Sequence, residues 1–263
     1  MNTMELIKTR KSVRTFDGRP ISTEDKEKLS AYIKNIPNPY GIPVEFVLLD
    51  AKEYGLSSPV IQGEELYIAA KVEKQPHGEE AFGFSFEKMV LYAWSLGIGT
   101  TWIGGTFDRP HFEKVLGVKG RERMYGVTPL GYPAGKKSEV DINLREQVKG
   151  DERLPVSELF FDRTFSTPLL INEQKLSDIL EAVRWAPSAA NMQPWRVVKD
   201  GGKFHFYERH TKYYGAENYG DVQKLDMGIA LCHFMNVTDG KLTTSDPGIT
   251  IAEDMEYIAT VCI

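Results

Sequence analysis

The chain has 263 residues, 41% of them hydrophobic and 26% charged, with a formal charge of −5. That length allows one or two domains around a sizeable core, and the acidic balance disfavours a broad nucleic-acid surface. The two cysteines, Cys232 and Cys262, stand in no CxxC or ligand spacing, which argues against a disulfide framework and against a metal centre.

The N-terminal stretch MNTMELIKTRKSVRTF is polar and basic and lacks the apolar run of a secretory signal. No apolar run approaches the ~20 residues of a membrane helix, so a cytoplasmic protein is expected. Ser22 then reads as a helix N-cap, with Asp25 at the third helical position and Leu29, Tyr32 and Ile33 as the apolar stripe. The apolar run Val44–Leu49 predicts a strand. A largely apolar helix is expected over Phe86–Leu96, ending at Gly97, followed by the glycine-rich stretch LGIGTTWIGGTF. That stretch does not fit G-x-G-x-x-G, because Trp102 stands where the last glycine belongs. His111 follows Pro110 at the start of a short helix, and MYGVTPLGY (124–132) reads as a strand. The polar segment LREQVKGDERLP (144–155) is the expected linker.

Beyond it, Asn172 is the expected N-cap of a helix whose stripe is Leu176, Ile179, Leu180 and Val183. Trp195–Val198 predicts a strand. His205 and His210 would face opposite sides of a strand, which makes them structural or surface residues rather than a ligand pair. TKYYGAENYG (211–220) is a possible rim or lid. Asp221–Asn236 predicts a second apolar helix, with His233 a satisfied core or interface histidine and Asp226 a cap or core partner. MEYIATVCI (255–263) closes the chain as a strand.

The order of these elements repeats. RTF occurs at 14–16 and again at 163–165, and YIKNIPNPYGIPVEFVLLD (32–50) lies over AVRWAPSAANMQPWRVVKD (182–200) without gaps at an offset of 150. Two similar α+β halves follow, 1–150 and 151–263. They differ in a complementary way. Ahead of RTF the first has Arg10, Lys11, Ser12 and Val13 where the second has Leu159 to Asp162, so only the first keeps a cluster of Arg10, Ser12 and Arg14. The second keeps Ser188, Asn191 and Gln193 where the first has Asn38, Gly41 and Pro43. The first also runs on through Lys136 and Lys137, a tail the second lacks. Complementary loss points to one site shared between the halves. Forked guanidinium groups suit a phosphate, and a run of small residues lets backbone approach a flat ligand.

RKSVRTF, APSAANMQPW, SLGIGTTWIGG and LGYPAGKK together resemble the FMN-dependent nitroreductase family, in its tandem, single-chain branch. The resemblance spans nearly the whole chain. It implies a nitroreductase-like α+β fold in which the two halves mimic the family homodimer within a monomer. It implies one FMN per chain, with NAD(P)H as reductant and a small electron-poor acceptor such as a nitro compound or quinone as partner. Arg10, Lys11, Ser12 and Arg14 would hold the phosphate, ribityl chain and pyrimidine edge. Pro187, Ser188, Ala189 and Asn191 would line the flavin from the other half. Trp102, Ile103, Gly104 and Gly105 would pass near N5, and Lys136 and Lys137 would reach the phosphate. Gly104 stands where many members carry an acidic residue, so no side chain acts there. No catalytic side chain and no metal is implied. The residues leave two alternatives open: a non-catalytic flavin carrier, or a cofactor-free interaction module.

Overall fold

The computed structural model describes residues 2–211 and 220–263. The first half holds α1 (Thr3–Thr9), α2 (Thr23–Tyr32), β1 (Val44–Asp50), α3 (Ala51–Tyr54), β2 (Leu66–Glu73), α4 (Gly78–Ser95), α5 (Arg109–Leu116), β3 (Glu122–Arg123), β4 (Val127–Leu130) and α6 (Glu139–Gln147). The second holds α7 (Val156–Leu159), β5 (Phe160–Asp162), α8 (Gln174–Arg184), β6 (Trp195–Asp200), β7 (Lys203–Arg209), α9 (Val222–Asn236), β8 (Lys241–Thr243) and β9 (Met255–Cys262). The run α2-β1-β2-α4-β4 is repeated as α8-β6-β7-α9-β9, the order expected from the internal repeat. In the first sheet β2 is central, with β1 on one side and β3 and β4 on the other. The second sheet runs β5-β6-β7-β9-β8, antiparallel except for the β5–β6 pair.

Local signals explain most boundaries. Ser22 caps α2 by accepting from the Asp25 amide. Gly97, at φ 76°, ends the turn after α4, where a left-handed residue stops a helix without a Cβ penalty. On α8, Ile179, Leu180 and Val183 are buried, as the stripe predicts. Two expectations need correction. Glu173, not Asn172, precedes α8, and no side chain caps it. The reason lies upstream: the Leu169 amide still donates to the Phe160 carbonyl, so the chain is tied to the edge of β5 until shortly before the helix. And α4 begins at Gly78, eight residues before Phe86, because it is buried on nearly all sides and shows no amphipathic period to mark its start.

The halves meet where α4 crosses α9. Gly83 and Gly228 make the crossing possible. A Cβ on Gly83 would stand 2.1 Å from the Leu225 carbonyl oxygen, and one on Gly228 would stand 2.1 Å from the Glu80 carbonyl oxygen. The relation is reciprocal, so Gly83 corresponds to Gly228 and Glu80 to Leu225. Side chains are exchanged across it. Phe84 enters the core of the second half, and Leu225 enters that of the first.

Candidate functional site

Helix α1 starts on a capping box between Asn2 and Glu5 and ends at Arg10. Beyond it the chain is extended, held by the Val13 amide donating to the Thr100 carbonyl at 2.8 Å. Arg10 thus sits at a helix C-terminus, where a cation is favoured, yet it is only 8% exposed. Its Nε lies 3.8 Å from Glu87 Oε1 and makes no hydrogen bond. Burial pushes the Arg10 guanidinium down from its ordinary value, and Glu87 opposes this.

Glu87 is the hub of this region. It is wholly buried on α4. Its Oε2 accepts from Trp102 Nε1 at 2.8 Å, and its Oε1 lies 3.1 Å from His233 Nε2. His233 Nδ1 lies 2.8 Å from the Ala182 carbonyl oxygen, so both ring nitrogens are satisfied. One carboxylate therefore ties Arg10 and the Trp102 stretch of the first half to α9 of the second. His233 is the interface histidine the sequence suggests.

The APSAANMQPW loop faces Arg10 from the other half. It carries three of the described non-glycine residues with positive φ: Ala190 at 45°, Asn191 at 59° and Gln193 at 50°. Such conformations cost on the order of 1–3 kcal/mol each and persist only where the surroundings hold them. Here they are held. Both oxygens of Asp226 on α9 accept from the Ala189 amide at 3.1 Å. Ser188 Oγ accepts from the Gln193 amide, and Gln193 Oε1 accepts from the Leu154 amide. Asp226 is buried, and desolvation pushes its carboxyl well up, with the Ala189 hydrogen bonds opposing.

One cavity lies between these pieces. Arg10, Lys11, Ser12 and Arg14 line it from the first half, together with Trp102 and Gly104. Pro187, Ser188, Ala189 and Asn191 line it from the second. Ile103, Gly105, Lys136 and Lys137 do not. Ile103 is buried and paired with Val127, and Gly105 is exposed beside Gly104. Lys136 and Lys137 are exposed. The Ala134 amide donates to the Thr15 carbonyl and Ser138 caps α6, while Lys137 stands near enough to Asp151, on the cavity wall, to add to Arg145 in lowering its carboxyl.

Two arginines that sequence reasoning missed take part. Arg145 and Arg153 line the cavity from the segment read as a linker, where their polarity gave no signal of a site. The first four of its residues belong to α6, and the remainder is fastened to the loop. Asn191 Nδ2 donates to the Lys149 and Glu152 carbonyls, so its amide hydrogens serve the cavity wall. Arg153 lies over the Trp185 ring, and desolvation lowers its guanidinium to about 10, with Arg10 acting in the same direction. Arg14 is held by Asp141 at 3.2 Å. TKYYGAENYG falls mostly on 212–219, outside the described residues.

These residues suit a flavin mononucleotide. A cluster of guanidinium groups, with buried Nε atoms on Arg10 and Arg153 that have no hydrogen-bond partner, is a donor set for a phosphate. The apolar wall of Trp102, Leu225 and Ile229, facing a loop of small residues, suits a planar ring.

A family model described as "Putative TM nitroreductase" matches residues 2–237. A protein of Archaeoglobus fulgidus described as "Putative NADH dehydrogenase/NAD(P)H nitroreductase" is 27% identical over 152 residues, covering 51% of this chain and 87% of that protein. The crystal structure of a "putative nitroreductase" from Thermotoga maritima aligns with 100% of this chain and 94% of its own, with a TM-score of 0.63 at 20% identity, a likeness of fold. Among the described residues no helix is long and apolar enough to cross a membrane.

Proposed function

Because the chain belongs to the TM nitroreductase family, we propose that it is an FMN-dependent oxidoreductase, using NAD(P)H to reduce an electron-poor acceptor such as a nitro compound or quinone. The observation that carries this reading is the meeting of Arg10–Arg14 and Pro187–Asn191, from opposite halves, across one cavity. FMN, when bound, supplies the two-electron hydride chemistry. The chain's part is to bind, orient and shield.

Arg10, with Arg145 and Arg153, would hold the phosphate, since a guanidinium matches it through parallel hydrogen bonds. Arg14, kept in place by Asp141, would present a fixed positive charge to the pyrimidine edge. Ser12 and Lys11 would complete the polar end. The Pro187–Asn191 stretch would lie along the ring, with Trp102 and Leu225 excluding water from its other side. Gly104 would offer backbone only. No side-chain nucleophile, acid or base is assigned. Lys136 and Lys137 would contribute long-range charge without contact.

A single site per chain is part of the reading. The counterpart of the Ala190 position is Tyr40, whose ring stacks on His77 with centroids 5.1 Å apart. The relative matched by 87% of its length on about half of this chain supports one family unit per half. Both walls of the cavity then come from one chain, as a monomer requires.

The purified chain should retain close to one FMN after desalting, read from the visible flavin band, and should then oxidise NADH or NADPH in the presence of a quinone or nitroaromatic. Retention without turnover would leave a flavin carrier, and no retention would remove the flavin reading altogether. Arg10→Ala should weaken FMN binding by about 10- to 100-fold, the scale of a lost charge-assisted hydrogen bond. Asn38→Ala, in the other copy of the loop, should leave FMN binding unchanged in the same titration. Equal losses would overturn the single-site reading.

A further inference from the structure

We propose that Glu208, His210 and Asp221 form a divalent-cation site of the zinc class, built where the internal repeat places the counterpart of the flavin cavity. The proposal does not depend on flavin binding.

The α4–α9 crossing relates Glu80 to Leu225 and His77 to Val222, and the offset of 150 relates Tyr40 to Ala190. Leu225, Val222 and Ala190 all line the cavity. Their counterparts close the equivalent space. Tyr40 stacks on His77, and His77 Nδ1 lies 3.3 Å from Glu80 Oε1. With the opening filled, what remains nearby is excess negative charge.

Glu208 on β7 is the key observation. Its side chain is completely buried, and neither carboxylate oxygen makes a hydrogen bond. Its cross-strand neighbour on β9 is Glu256, a like charge directly opposite, which by itself is destabilising. Asp221, Glu256 and Glu80 are its charged neighbours, together with Lys224. Lys224 is itself engaged with Glu256 at 2.9 Å. His210 stands against Glu208 and Glu256, and His77 against Glu80, so Glu208 Oε2 is left as a buried carboxylate oxygen without any partner, which is expensive unless a cation meets it.

The geometry supplies that cation's ligands. One ligand atom from each of Glu208, His210 and Asp221 falls within 4.8 Å of the others. His210 Nδ1 lies 2.8 Å from Glu208 Oε1, yet the carboxylate makes no hydrogen bond. Two ligands of one metal ion stand in this way, close together without pointing at each other. With metal–ligand distances of about 2.0–2.2 Å, neighbouring ligands of a tetrahedral zinc are ~3.3 Å apart, so His210 and Glu208, now at 2.8 Å, would part slightly and Asp221 would close in from within 4.8 Å. Asp221 is oriented by capping α9, its Oδ1 accepting from the Gln223 amide at 2.9 Å. One imidazole with two carboxylates favours zinc over calcium or magnesium, which prefer six or more oxygens or several waters.

The test is calorimetric titration of the chelator-stripped, dialysed full chain with zinc chloride. One saturable site per chain is expected, with affinity at least about tenfold weaker in both His210→Ala and Glu208→Gln. His210 is 41% exposed, so its variant should keep the parent far-UV spectrum and flavin band. Absence of saturable binding at micromolar zinc would overturn the proposal. So would affinity unchanged in both variants, which would mark coordination elsewhere, for instance by the thiols. A more heat-stable Glu208→Gln, with no zinc binding by the parent, would overturn it too and leave a simple Glu208–His210 ion pair.

Discussion

Glu87→Ala is expected to destabilise the protein by about 3–5 kcal/mol, the cost of removing one partner from a buried charged group. For a chain of this size that lowers the unfolding midpoint by roughly 6–20 °C. The substitution strands three groups at once. Arg10 loses its nearest carboxylate, Trp102 Nε1 loses its acceptor, and His233 Nε2 loses its partner in a site with no exposed surface. Glu87→Gln keeps the shape and one acceptor oxygen and should recover a substantial part of the loss. FMN retention should fall in Glu87→Ala even at temperatures where it is fully folded, because the carboxylate positions Arg10 and Trp102 without lining the cavity. Scanning calorimetry with desalted flavin spectra checks both. A midpoint within about 2 °C of the parent would mean that the three groups are not jointly held by Glu87.

Gly83→Ala and Gly228→Ala should each be costly for a different reason. The added methyl meets a backbone carbonyl oxygen at 2.1 Å, and the oxygen belongs to the facing helix. No side chain can rotate away, so α4 and α9 must move apart. Overpacking of this kind costs typically about 1–3 kcal/mol and sometimes more, well above the ~1 kcal/mol that alanine returns in helix propensity. Separation would also shift Leu225, Asp226 and Ile229, which line the cavity, and Asp226 holds the Ala189 amide. Lower thermal stability and weaker flavin retention should therefore appear together. Gly105→Ala is the control, because nothing lies within 4 Å of its added Cβ. If Gly83→Ala melted like the control, the close crossing would be wrong.

Much of the fold is readable from residue order. The repeat at 32–50 and 182–200 carries enough pattern to anticipate two like halves, and the Ser22 cap and Gly97 stop are local events that depend on a few neighbouring residues. The loop at 186–195 announces itself by its small residues. Its strain does not, since nothing local dictates positive φ at Ala190, Asn191 and Gln193. That conformation exists because Asp226 on α9 and the Leu154 amide hold it from outside the loop, while Ser188 braces it from within.

What the sequence by itself determined is the duplicated α+β plan, the family resemblance and the pairing of an arginine cluster with a small-residue loop, because these rest on spacing and residue type along the chain. What only the tertiary structure decided is which charges converge. Lys136 and Lys137 stay exposed and outside the cavity lining, with Lys137 acting on the cavity-wall carboxylate Asp151. Arg145 and Arg153 look like linker polarity, but Asn191 fastens their segment against the cavity. Glu87, Glu80 and Glu208 stand out in no motif, and the α4–α9 crossing and the second sheet bury them. Burial is a property of the packed whole, and it changes a carboxylate from a solvated charge into one that must find a partner.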